Sequence, residues 1–150
     1  MTGNYVLYTD SACDIHPDKL AEWKVEMVQL AFLFTDTGKE QKDHEAPIKE
    51  FYQAMRDGRV AKTTSVNEEI FRQAFVPCLE AGKDVLYLAF SSGLSATCEN
   101  GKKVAAELQE KYPERKIVVI DSLAASAGEG LFVYLGVRNR DAGMSLEENA

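Results

Sequence analysis

Histidine, tryptophan, proline and cysteine are all scarce in this sequence, whose 150 residues hold 2 His, 1 Trp, 4 Pro and 3 Cys. Cys13, Cys78 and Cys98 are odd in number, widely spaced and never in a C-x-x-C pair, so zinc and thiol-redox motifs are not supported. A reduced chain in the cytoplasm is the expectation. His16 precedes a helix-starting proline and His44 lies in a polar loop, so neither is placed after a strand to serve a serine nucleophile as base. No carboxylate–histidine cluster has metal-ligand spacing. The P-loop, G-x-G-x-x-G and G-x-S-x-G patterns are missing as well. No catalytic residue, metal ligand or cofactor is assigned. No apolar run approaches the ~20 residues that span a bilayer, and "MTGNYVLYTD" lacks the basic and apolar regions of a signal peptide. Positive charge is in the minority, 17 Lys and Arg against 24 Asp and Glu, for a net charge of −7. Such a chain repels phosphate backbones, which disfavours a nucleic-acid partner.

What is present is 45% hydrophobic residues gathered into runs, enough for one domain. "YVLYTDSACDI" (5–15) reads as a buried strand ending at Thr9-Asp10-Ser11, followed by a short helix opened by Pro17. "VEMVQLAFLF" (25–34) reads as a second strand, long or bent, and Thr37-Gly38 as a turn. In "PIKEFYQAMRDG" (47–58), Ile48, Phe51, Tyr52 and Met55 have the spacing of one buried helix face. Ser65 and Glu68 fit a capping box opening a helix with Ile70, Phe71, Ala74, Phe75 and Leu79 inward, a kink at Pro77 and an end at Gly82. "DVLYLAF" (84–90) and "KIVVIDS" (116–122) are short, β-rich and apolar on both faces, as strands of a covered parallel sheet are. Helices follow each, the first weakened by Gly101, the second rich in small residues and suited to close packing. Strand and helix alternate, so the fold class is α/β, a mainly parallel sheet flanked by helices. Ser145 and Glu148 open one more helix two residues before the end. The expectation is a 1–150 N-terminal α/β domain, with 144–150 starting a helix that leads to a second domain.

Each apolar strand is followed by hydroxyls: Thr9-Asp10-Ser11, then Ser91-Ser92-Gly93-Leu94-Ser95, then Asp121-Ser122 with Ser126. In open α/β sheets ligands bind beyond the carboxyl ends of the strands. A fourth group, Thr63-Thr64-Ser65, stands before a helix start. Unsatisfied N–H groups and the positive end of a helix dipole suit an anion. Each cluster also has a plainer reading: Ser65 and Ser95 as N-caps, Asp10 as a turn former, Asp121-Ser122 as a strand stop.

The stretches "YTDSACDI", "KTTSVNEEIF", "AGKDVLYLAFSSGLSATCENG", "YPERKIVVIDSLAASAGEGLFVY" and "RDAGMSLEE" together resemble the DegV family of bacterial fatty-acid-binding proteins. The resemblance covers essentially the whole chain. It implies two α/β domains and a buried long-chain fatty acid such as palmitate. The carboxylate is held by hydroxyls of the Thr-Ser motif and of the Ser-Ser-Gly-Leu-Ser loop and phosphorylated by a partner fatty-acid kinase subunit, so the protein presents a lipid and is not itself an enzyme. On this sequence the implied ligand residues are Thr63 or Thr64, then Ser91, Ser92 and Gly93. Where the family continues the loop with glycine, threonine and an aromatic, this chain has Ala96, Thr97 and Cys98. Phe32, Phe34, Phe90, Leu94, Leu123 and Ala124 are candidate tail-lining residues. Two alternatives stand beside this reading: an α/β enzyme binding a phosphate or small metabolite, and a fragment without binding activity that pairs as a homodimer.

Overall fold

The computed structural model describes residues 5–45 and 47–150. Four strands form a parallel sheet in the order β2-β1-β6-β7: β1 (Tyr5–Asp10), β2 (Val25–Val28), β6 (Asp84–Ala89) and β7 (Ile117–Asp121). Alternation along β6 serves two cores. Val85, Tyr87 and Ala89 face α3 (Glu68–Glu80) and α4 (Thr97–Lys111), against Phe71, Phe75, Val104 and Leu108. Leu86 and Leu88 face the other way, against Leu20 of α1 (Pro17–Glu22), Val133 and Val137 of α5 (Ser126–Asp141) and Leu146 of α6 (Leu146–Asn149). A parallel sheet covered on both faces is the expected α/β class.

The α3 helix buries Phe71, Phe75 and Leu79, with Ile70 and Ala74 packed beside them. It runs on past Pro77 for most of a turn, and Gly82 follows in the left-handed region at φ +74°. Ser145 and Glu148 make the predicted reciprocal capping box at the start of α6.

The structure departs from the sequence reading in four places. First, 25–34 is not one strand. Val28 ends β2, and β3 (Ala31–Phe34) joins a separate antiparallel sheet in the order β4-β3-β5, with β4 (Glu40–Lys42) and β5 (Ala61–Thr64). The crossing residue Leu30 gives its amide to Ser11 Oγ at 2.9 Å and its carbonyl to the Asp43 amide. Its backbone is thus committed at the junction between the sheets. Second, Thr63 and Thr64 lie in β5, not in a pre-helical loop, and Ser65 is not the cap. Asn67 Oδ1 accepts the Ile70 amide at 3.0 Å, which makes Asn67 the N-cap of α3. Third, the apolar face of α2 (Ile48–Arg56) is not buried: Ile48 is 66% and Tyr52 51% exposed. Phe51 and Met55 are half-buried, and the Phe51 ring lies 4.5 Å from that of Phe32. Fourth, β7 is an edge strand, half-buried throughout, so "KIVVIDS" is not covered as "DVLYLAF" is.

Candidate functional site

Because β1, β6 and β7 run parallel, the polar residues after them gather at one end of the sheet. Asp10 is fully buried there. Its Oδ1 accepts the Ala12 amide at 3.1 Å and caps the 3-10 turn Ser11–Cys13. Its Oδ2 accepts the Tyr87 hydroxyl at 2.6 Å and the Phe90 amide at 2.9 Å. Glu129, in the first turn of α5, is also fully buried, and its Oε1 accepts the Thr9 hydroxyl at 3.1 Å. Burial, and after it the Asp10 charge, pushes the Glu129 carboxyl up to about 9; burial raises Asp10 too, against the hydrogen bond from Tyr87.

The loop after β6 is held from three sides. The buried Ser91 donates its amide to the Ala124 carbonyl, and its Oγ accepts the Gly93 amide at 3.2 Å. The Ser92 amide goes to Asp121 Oδ1 at 3.1 Å, which also takes the Leu123 amide. Contact with Ser92 holds the Asp121 carboxyl below its ordinary range. At the far end Ser95 Oγ accepts the Thr97 amide and lies 2.9 Å from the Thr97 hydroxyl. Gly93 is not in the left-handed region, and a Cβ there meets only Ser91 Oγ, at an ordinary 3.5 Å. Nothing inside the chain demands glycine at 93. Of the two residues that depart from the expected loop pattern, Ala96 is exposed and Cys98 is fully buried.

Hydrogen bonds tie the second sheet to this loop. Thr97 Oγ1 accepts the Val66 amide at 3.2 Å, and Asn100 Nδ2 donates to the Val66 carbonyl at 2.8 Å. The chain leaving β5 is therefore clasped by the first turn of α4. Thr63 pairs with Phe32 across β5 and β3. Both line a cavity of about 290 Å³ between the second sheet and α2. Its apolar wall is Phe32, Ile48, Phe51 and Tyr52; its polar wall is Thr63, Ser11, Asp14, Asp43 and His44. Ser11 donates to Asp43 Oδ2 at 2.8 Å, whereas His44 Nε2 is buried with no partner among the described residues. Thr64 donates instead to Glu40 at 3.3 Å.

Of the residues singled out in the sequence, Thr63 thus lines the cavity, while Ser91, Ser92 and Gly93 form the adjoining loop and do not line it. Phe32 and Phe34 line cavities under α2. Phe90 packs on the core and Ala124 is half-buried. Leu94 and Leu123 are instead 68% and 77% exposed and wall nothing. The sequence reading gave His44 no role, since a histidine in a polar loop carries no periodicity to place it. Glu129 had one signal, a lone acid among small residues in "SAGEGL". Among the described residues no group of three or more His, Cys, Asp and Glu is placed to hold a metal, and no helix is long and apolar enough to cross a membrane.

Comparison with known proteins identifies the family and the fold. The family model described as "Uncharacterised protein, DegV family" matches residues 5–150. A DegV domain-containing protein of Clostridium perfringens, CPE0026, is 34% identical over 145 residues, which are 96% of this chain and 50% of that protein. A stearic acid-binding protein from Eubacterium ventriosum superposes with a TM-score of 0.88 at 26% identity, over 97% of this chain and 50% of its own. A DegV family protein from Thermus thermophilus, solved for its fatty-acid binding, superposes with a TM-score of 0.85 at 28% identity, over 97% and 50%. The chain spans about half the length of the relatives it matches, and it belongs to the DegV family.

Proposed function

We propose that this chain is the N-terminal α/β domain of a two-domain cytoplasmic protein that binds a long-chain fatty acid and presents its carboxylate to a partner kinase, without catalysing a reaction itself. The observation that carries the reading is the cavity beside Thr63. It sets an apolar wall of Phe32, Ile48, Phe51 and Tyr52 against hydrogen-bonding groups. An acyl chain with one polar end needs that division. The fatty-acid-binding structures that superpose on the chain support it. The three cysteines, all unpaired, suit a reducing compartment.

In this reading Thr63 and the uncommitted Nε2 of His44 donate to the carboxylate from the cavity, and Ser91 from the loop. The Ser92 amide and the Thr64 hydroxyl join only by exchanging Asp121 and Glu40 for the ligand. Asp14 and Asp43 oppose an anion, so the headgroup sits toward Thr63 and His44 and away from them. Burying fifteen methylenes is worth about 12 kcal/mol gross, at ~0.8 kcal/mol each, before ordering and association are subtracted. At about 290 Å³ the cavity lies at the lower end of ligand-sized pockets. The remainder of a long tail therefore needs further cover, which a second domain supplies.

Thr63→Val tests the reading. The side chain is exposed and has its place on a strand, so the fold tolerates the isostere. A charge-assisted hydrogen bond contributes about 1.5–3 kcal/mol, so oleate affinity falls roughly 10- to 150-fold with an unchanged unfolding midpoint. Calorimetric titration of the full-length protein reads it. Unchanged affinity removes Thr63 from the site, and no binding of oleate or palmitate by the parent protein ends the fatty-acid reading.

A further inference from the structure

Beneath the loop lies a buried acid that the binding reading leaves unused. Among the described residues, Glu129 Oε2 is sealed from solvent and meets no N–H or O–H donor. A buried carboxylate oxygen with nothing to donate to it is expensive to leave charged. The other oxygen, Oε1, is occupied by Thr9. The Asp10 carboxylate lies close enough for its charge to raise Glu129. Two carboxylates cannot hydrogen-bond unless one of them carries a proton. Asp10 already receives three donors, from Ala12, Tyr87 and Phe90, which favour its charged form. Glu129 receives one, so the proton belongs on Glu129.

We propose that Glu129 is a neutral carboxylic acid that donates Oε2–H to the Asp10 carboxylate, and that this pair is the positioning device for the Ser91–Ser95 loop. The link is short. Asp10 Oδ2 holds the Phe90 amide, the residue that hands β6 to the loop. A Cβ on Gly130, next to Glu129, would fall 2.9 Å from the Cys13 carbonyl, so α5 rides directly on the 3-10 turn that Asp10 caps. The titratable groups facing the pair are Cys13 and Asp14 from the turn and Tyr87 from β6. None of these is cationic at neutral pH. Removing the proton would therefore place two anions side by side without compensation. Asp10 would be driven off Phe90, and the loop would lose its base. The inference rests on the loop belonging to the ligand site, but the pair itself can be tested without ligand.

Both carboxyls lie higher in the fold than in the unfolded chain, so the folded state holds an extra proton. The stability this gives is fully present below about pH 4.3, where an ordinary glutamate titrates. It is lost as pH rises through the folded value near 9. Carboxyl carbon NMR on the 150-residue chain reads Glu129 directly. A neutral acid at pH 7, titrating only above it, is expected; an ionised Glu129 at pH 7 overturns the proposal. The second measurement follows the Phe90 amide between pH 6 and 10. In the parent chain its resonance moves together with Glu129. In Glu129→Gln, whose amide N–H replaces the acid proton, it stays fixed and close to its neutral-pH position. If Glu129→Gln moves with pH as the parent does, the pair does not position the loop. Oleate titration of the full-length protein then separates the two readings. Failure of oleate binding with an intact Phe90 response overturns the fatty-acid reading alone. A fixed Phe90 amide in the parent overturns the positioning role alone.

Discussion

Asn67 and Ser65 stand two residues apart before α3, and the backbone uses only Asn67 as its cap. Asn67→Ala should lower stability by about 1 kcal/mol, the usual value of a lost cap. Ser65→Ala should stay within about 0.5 kcal/mol. Urea unfolding of the two variants compares them, and a larger loss at Ser65 would restore the predicted capping box. The misreading has a physical source. Ser65-x-x-Glu68 fits the capping pattern, but β5 is still extended to Thr64 and Val66 is pinned to Thr97, so the first helical turn cannot open before Asn67. The hydroxyl clusters after β1, β6 and β7 were legible because polar residues interrupt strongly apolar strands. Their partners were not. Which amide Asp10 or Asp121 accepts depends on strands and loops far away in sequence.

At the scale of elements, close contact explains the glycines inside α4 and α5 that meet the sheet. Gly101 reads in sequence as a weakness in α4, yet a Cβ there would fall 2.9 Å from Tyr87 and 3.3 Å from Phe71. Gly136 likewise faces Leu88, where a Cβ would come to 2.8 Å, which is the close packing that the small residues of α5 predict. Gly101→Ala gains about 1 kcal/mol of helix propensity but overfills a core in which such insertions typically cost 1–3 kcal/mol. A net loss is expected in thermal or urea unfolding; a stabilised variant would show that Tyr87 and Phe71 yield freely. The three parallel strands β1, β6 and β7 were readable from their apolar runs. The second sheet was hidden because β4 is Glu-Gln-Lys, wholly exposed, and β5 is Ala-Lys-Thr-Thr, so neither offers an apolar alternation. Hydrophobic continuity across Gln29-Leu30 then merged β2 and β3, although they belong to different sheets.

Across the whole molecule, the two sheets are joined by few polar contacts, chiefly Ser11 with Leu30 and Asp43, and Thr97 and Asn100 with Val66. Regions with little buried apolar contact open locally before the rest unfolds. Amides of β1 and β6 should exchange slowest with deuterium, and those of β3 and β5 faster. Thr97→Ala should accelerate exchange in β5 and β3 several-fold while leaving β1 and β6 nearly unchanged. Uniform acceleration in hydrogen-exchange mass spectrometry would instead mean that the two sheets open as one unit.

The strand order also governs synthesis. β1 lies inside its sheet, bonded on one side to β2 and on the other to β6, where Tyr5 meets Asp84. On a ribosome adding ~5–20 residues per second, the first neighbour is made as far as Val28 roughly 3–12 s before the second reaches Ala89. Through that interval Leu7 and Tyr8 have one open strand edge and no complete core. The small antiparallel sheet, whose last strand ends at Thr64, has all its segments before the larger sheet that anchors it. The nascent chain therefore carries the wall of its candidate binding cavity while the framework beneath that wall is still unpaired.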